Sequence, residues 1–321
     1  MPSDTTFADK PSLDQSHFCA DPEKTKLGAI DELRTEGPIS SFWSDAWRAL
    51  RRRPLFWISV FLIAALTMIA LFPGIFTSES PTHCELGRSM DPSTSGHPLG
   101  FNRQGCDIWA RVIYGARTSM TVGILSALFT ALIGATVGQL AGYFGGWLDG
   151  ILGRIVDIFY AVPIVLASVV VMQVFRDRAT ALSVVLVISL FAWTPVARVA
   201  RGAAIEAKAS DFVTASKALG LGKYAILLRH ILPNSIAPII VTATTSLGTF
   251  IVLEATLSFL GVGLPPSVLS WGHEIANAQV TVKTHISVLL YPAGALALTV
   301  LAFILLGDAV RDALDPKSAT R

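Results

Sequence analysis

Charge is what this chain has least of. Of 321 residues only 15% are charged while 52% are hydrophobic, and the net charge is +2. That balance removes any electrostatic case for nucleic-acid binding, and no basic-aromatic cluster supplies one locally. The chain is also short of acids and histidines inside its apolar runs, which counts against a proton- or sodium-driven carrier. No nucleotide site is legible. "GLGKY" (Gly220 to Tyr224) lacks the earlier glycine and the following Ser or Thr of a phosphate loop. "WGHEIAN" has Asn277 where a zinc-protease helix needs its second histidine, so no metal is expected there. Nor do Ser, Cys and His fall into a catalytic spacing, so the chain does not read as an enzyme and no cofactor is expected. The first forty or so residues are polar and aperiodic, with neither the apolar core nor the cleavage site of a secretory signal peptide.

What is present is a set of apolar runs long enough to cross a bilayer, which takes roughly 20 helical residues. Six qualify: about Leu55–Phe72, Ser119–Gly142, Ile155–Phe175, Ala179–Val196, Ser235–Leu253 and Ile286–Leu306. The expected fold is an all-α integral membrane protein of six transmembrane helices with a cytoplasmic helical hairpin. Orientation follows the basic residues. Arg48, Arg51, Arg52 and Arg53 precede the first span, and Arg198, Arg201, Lys208, Lys217, Lys223 and Arg229 lie between the fourth and fifth. Both groups are cytoplasmic if both termini are. The expected layout is a disordered cytoplasmic tail (1–47), a first membrane helix (48–76), an external loop (77–118), a five-helix core (119–306) containing the cytoplasmic segment 197–234, and a cytoplasmic tail (307–321).

In the second span Gly134, Gly138 and Gly142 recur every four residues, beside a row formed by Gly123, Ala127, Ala131 and Ala135. Small-residue rows let helix backbones meet closely in lipid, so this span is expected at the centre of the bundle. Glu254 closes the fifth span, where it either lines a substrate path or rests at the membrane interface, the second being the simpler reading of one border acid. Pro163 is the main helix breaker inside the spans.

The cytoplasmic stretch "DFVTASKALGLGKYAILLRHILPN", Asp211 to Asn234, holds structure of its own. Asp211 suits a helix N-terminus, Phe212, Ala215 and Leu219 share one face, and Gly220 is placed to end the helix. A second helix from about Lys223 is expected to stop at Pro233. On residues alone this is either a docking element for another protein or a hairpin packed on its own chain.

The stretch resembles the Glu-Ala-Ala coupling motif of ABC importer permeases, with its later glycine and Ile-x-Leu-Pro. Ala215, Gly220, Leu232 and Pro233 match, while Thr214, Ser216 and His230 stand at the Glu, second Ala and Ile positions. "ALG" (Ala218 to Gly220) followed by "RHILPN" is similar to the oligopeptide and dipeptide branch. The loop "HPLGFNRQGCDIWARVIYGARTSM" resembles that branch with Phe101, Asn102, Cys106 and Ala110 as departures. "EATLSFLGVGLPPSVLSWG" and "GDAVRDALDPK" resemble its C-type subunit. The resemblance implies a bacterial inner-membrane permease working with a homologous B-type permease, two cytoplasmic ATP-binding subunits and an extracytoplasmic peptide-binding protein. It leaves oligopeptide or dipeptide beside nickel chelate, glutathione or modified peptide as cargo. A membrane scaffold or passive channel is the reading from another class.

Of three cysteines, Cys84 and Cys106 share the external loop and Cys19 lies in the cytoplasmic tail. Compartment and parity therefore favour a Cys84–Cys106 disulfide.

Overall fold

The computed structural model describes residues 42–175 and 179–314. Contacts divide the chain into Met1–Asp45 and Ala46–Arg321. Of the first unit only the opening residues of a helix, α1 (Phe42–Arg51), are described, and every other element falls in the second. Most of the expected N-terminal tail with Cys19, the 176–178 link and residues 315–321 lie outside the described residues.

Among the described residues the chain is helical and has no strand; its only extended pairings are isolated bridges in the external loop. Lipid dictates this, because a backbone without water must satisfy its own hydrogen bonds. Three long helices are α2 (Pro54–Leu71), α4 (Ile108–Phe144) and α13 (Ser287–Leu314), and a short α3 (Pro73–Phe76) follows α2. The fourth long run, Lys223–Phe259, comprises α10 (Lys223–Ile226), a π-helical turn (Leu227–Ile231) and α11 (Leu232–Phe259). Two further pairs are bent: α5 (Gly146–Ala161) with α6 (Ile164–Val174) by 84°, and α7 (Ala181–Ala192) with α8 (Thr194–Lys208) by 48°. Four helices can therefore cross a membrane, or six spans if each bent pair counts as one. The family of six expected runs is present, with two of them broken.

The breaks have local causes. Pro163 stands between α5 and α6, where its missing N–H and ring interrupt the ladder, and Pro195 occupies the first turn of α8, where a missing donor is harmless. Pro233 acts differently from expectation: it does not end the second helix of the hairpin. The π-helical turn immediately before it widens the backbone, and the helix runs on through Pro233 into α11. The last span likewise exceeds expectation, since α13 continues to Leu314.

The bundle is organised about α4, which packs on α2, α7, α8 and α11. A methyl at Gly134 would come within 2.6 Å of Val196 Cβ, at Gly138 within 2.7 Å of Ala200 Cβ, and at Gly142 within 2.8 Å of Ala204 Cβ. The three glycines thus mark one seam between α4 and α8, answered from α8 by Ala197, Ala200 and Ala204, all fully buried. Nearer the N-terminal end of α4, Leu66, Val112, Met120, Ile251, Trp271 and Phe303 form a second core that gathers α2, α4, α11 and α13. Only 22% to 39% of each long span's most apolar stretch is buried within the chain, so lipid or another subunit must cover the remainder.

Gly138→Leu should overpack this seam and destabilise the bundle by about 1–3 kcal/mol. Gly153→Ala, where an added methyl meets nothing within 4 Å, should stay within about 0.5 kcal/mol of the parent. Thermal melts of the detergent-extracted protein compare the two.

Candidate functional site

The hairpin that follows α8 is held from beneath. Its helix α9 (Asp211–Ala218) buries Val213 and Ser216 and leaves Phe212, Thr214, Ala215, Lys217, Ala218 and Leu219 exposed. Val213 enters a core with Tyr143 of α4, Ala204 and Ala207 of α8, and Ile226, Leu227 and Ile231 of the next helical run. The Ser216 hydroxyl donates to the Phe212 carbonyl at 2.7 Å. Asp211 opens the helix, where its charge suits the dipole. Gly220 closes it at φ +80°, with Gly220 N–H donating to Lys217 and Leu221 N–H to Ser216, the paired bonds of a Schellman turn. Only a residue free to take that backbone conformation reverses the chain so tightly.

Phe212, Ala215 and Leu219 do lie together, and on the outward side; Leu219 is 81% exposed. Tyr224 and Leu228 are also open, and His230 sits 6.5 Å from the Phe212 ring. His230 presents its carbonyl to Asn234, while Leu232 and Pro233 form the start of α11. The limb carrying α9 is braced again above: Arg201 holds Asp149 of α5 through two bonds of 2.5 and 2.7 Å, and Arg198 reaches Asp157 at 3.0 Å while covering the Tyr160 ring. Deeper, Gln139 of α4 donates to Ser235 of α11 at 2.6 Å.

At the other end of α4 the expected loop 77–118 ends early, because α4 already begins at Ile108, and residues 77–107 are compact. A disulfide joins Cys84 to Cys106. His97 bonds Asp107 at 2.5 Å, and Asp107 caps α4 by accepting the Ala110 N–H at 2.6 Å. Arg88 lies over the Phe101 ring. Asn102, one of the departures from the resembled pattern, accepts two backbone N–H groups, from Gln104 and Cys106, and so shapes the turn.

Between α11 and α13 a short helix, α12 (Trp271–Ala278), is bound to α4 through buried polar groups. Arg111 pairs with Glu274 at 2.6 Å, both nearly buried, and donates a second bond to the Pro81 carbonyl. Trp271 donates its indole N–H to Val112 at 2.9 Å. Burial pushes the His273 imidazole below its ordinary pKa, partly offset by the neighbouring Glu274 charge.

Glu254, expected either on a substrate path or at the membrane interface, is fully buried within the chain and receives bonds from Ser119 and Ser258. Sequence reasoning also missed Arg111, Ser119, Ser258, Ser270 and Glu274. The Glu254–Ser258 spacing of one helical turn was a readable hint. The partnership with Ser119, 135 residues away, carried no local signal.

Residues 134–320 match the family described as the binding-protein-dependent transport system inner membrane component. The chain belongs to that family. A second match, over residues 41–92, is to the N-terminal transmembrane domain of oligopeptide transport permease C. Over 92% of its length the chain is 33% identical to the oligopeptide transport system permease protein OppC of Bacillus subtilis strain 168, covering 96% of that protein. It is 35% identical, over 89% of its length, to 92% of the glutathione transport system permease protein GsiD of Shigella flexneri serotype 5b. The fold is shared with an inward-facing structure of the MetNI methionine ABC transporter, at a TM-score of 0.51 and 19% identity over 64% of this chain and 96% of that one. This chain is thus a multi-pass inner-membrane permease subunit of an ABC importer, and its relatives are transport subunits rather than enzymes.

With Cys84 and Cys106 joined, denatured full-length protein kept oxidised should expose one reactive thiol, and three after reduction. Opening the 22-residue loop by Cys84→Ser/Cys106→Ser should cost roughly 3 kcal/mol of loop stability. Faster proteolysis of the loop in the variant is the expected reading.

Proposed function

We propose that this permease is the C-type subunit of an importer for oligopeptides or dipeptides. It supplies half of the translocation pathway, a homologous B-type permease supplies the other half, two ATP-binding subunits in the cytoplasm provide the energy, and an extracytoplasmic binding protein delivers the peptide. Both termini face the cytoplasm, as the basic residues flanking the first span and filling the α8–α11 connection require.

The observation that carries this reading is the construction of α9. A short helix with Phe212, Ala215 and Leu219 outward would normally turn that stripe inward; instead Val213 and Ser216 anchor it and the apolar side is left for a partner. The position of the helix supplies a mechanism. Its core reaches α4, α8 and the run into α11, so a subunit that grips α9 pulls on three spans together. ATP-driven closure of the gripping subunits then tilts the bundle as a body and exchanges which side is open.

The similarity to one relative named for oligopeptides and another named for glutathione, itself a peptide, supports a peptide cargo. A scaffold or passive channel would have no use for an anchored, outward apolar helix on the cytoplasmic side.

The test is affinity purification of a tagged copy from native membranes, with identification of partners and an ATPase assay, beside Ala215→Asp/Leu219→Asp. Both positions are exposed, so the variant should fold. The expected result is a second permease with two ATP-binding subunits, and loss of the ATP-binding subunits in the variant. Recovery of the parent chain alone under gentle extraction would overturn the importer assembly, and unchanged partners in the variant would remove α9 as the coupling element.

A further inference from the structure

We propose that Glu254 is a positioning residue for transport, pinning the external helix α12 to the α4–α11 pair so that this cap moves with the spans. The inference rests on the importer reading above and assigns the carboxyl a role within it.

A fully buried acid in a membrane helix needs a purpose, because such groups are costly and rarely idle. The bonding of Glu254 supplies one. Its Oε2 accepts from the Ser119 hydroxyl of α4 at 2.9 Å, and its Oε1 from the Ser258 hydroxyl, one turn further along α11, at 2.9 Å. Each of these two serines also accepts a backbone N–H from the chain beyond α11: Ser119 receives Trp271, the first residue of α12, at 3.2 Å, and Ser258 receives Leu264 of the return segment at 3.4 Å. Ser270, between them, caps α12 by accepting the His273 N–H at 3.2 Å.

The direction of these bonds is what makes the carboxyl special. The Ser119 and Ser258 hydroxyls turn their protons to the carboxyl oxygens, which leaves the serine lone pairs for the incoming N–H groups. The network therefore reads outward from Glu254: carboxyl, two hydroxyls, then the backbone of the return segment and of α12. That segment is seated without slack. Gly261 reverses the chain at φ +73°, a side chain at Gly263 would overlap the Ser258 backbone and hydroxyl, and one at Gly272 would come within 2.5 Å of the Ala255 Cα. Further along α12, the Arg111–Glu274 pair makes a second attachment to α4. Beyond it, Glu274, Asn277 and Thr281 face Asn102, Arg103 and Gln104 of the disulfide loop across a shared cleft. Glu254 is thus the inner end of a chain of fixed groups that reaches the external surface.

The experiment uses the whole importer in liposomes, with its ATP-binding subunits and binding protein, in an Asn277→Cys background. Basal ATPase, its stimulation by the binding protein, and labelling of residue 277 by a membrane-impermeant maleimide are measured for Glu254, Glu254→Gln and Glu254→Leu. Glutamine keeps one acceptor and exchanges the other for a donor, so it should fall between the other two. With Glu254→Leu, basal ATPase should persist, labelling should speed up, and stimulation should drop by about fivefold or more, the lower end of ordinary coupling between sites. Stimulation and labelling equal to the parent in Glu254→Leu would overturn the proposal, as would a parallel fall in basal and stimulated ATPase with labelling unchanged. Should the leucine variant not assemble, Glu254→Gln decides: parent-like values in both readouts overturn the proposal. Absence of any stimulation in the parent would instead remove the importer reading, while the labelling rates would still report whether Glu254 holds α12.

Discussion

The seam between α4 and α8 is the contact on which the remaining architecture depends. Lipid offers little hydrophobic gain for bringing helices together, so association relies on close packing, and close packing relies on small residues. Gly134, Gly138 and Gly142 on one side and Ala197, Ala200 and Ala204 on the other bring the two backbones together along three turns. Because α8 leads directly into α9, the seam ties the exposed helix α9 to the most central span. Because α4 extends at its other end to Arg111 and its cap Asp107, it also ties that helix to the disulfide loop and to α12.

Polar groups were used sparingly, and at the ends of this construction. Helices α5 and α8 meet through Arg201 with Asp149 and Arg198 with Asp157, pairs exposed enough that their value lies in register rather than in strength. The end near α12 uses buried pairs instead: Arg111 with Glu274, and Glu254 with its serines. Losing one partner there leaves the other buried without compensation, which costs far more than the pair itself gains. A membrane bundle that must change shape can yield in its exposed apolar faces, but these polar knots oblige the elements they join to travel together.

The sequence showed what repeats and what is punctuated. Apolar length gave the spans, the four-residue glycine period gave the central helix, and Gly220 gave the end of α9, because each signal is local. Pro233 misled for a local reason as well: a proline interrupts a regular α-helix, and nothing in "RHILPN" announced the π-helical turn that accommodates it. The two bends, at Val162–Pro163 and Trp193, were half visible through their prolines, but their angles come from packing. Glu254 looked like an interfacial acid because its partners sit on α4 and beyond the α11 turn, brought together only by the fold. The outward direction of Phe212, Ala215 and Leu219 was equally hidden, since a shared face does not say which way it turns.

If seam and knots make one body of this chain, α9 and α12 keep their separation while the importer works. Spin labels at Lys217 and Asn277 in the reconstituted importer, measured by pulsed dipolar spectroscopy without nucleotide and with ATP trapped, give that separation. The expected result is an unchanged distance within this chain while the distance from Lys217 to the second permease shifts. A change within the chain larger than about one helical turn, ~5 Å, would mean that the two ends move independently and that the seam does not carry the motion.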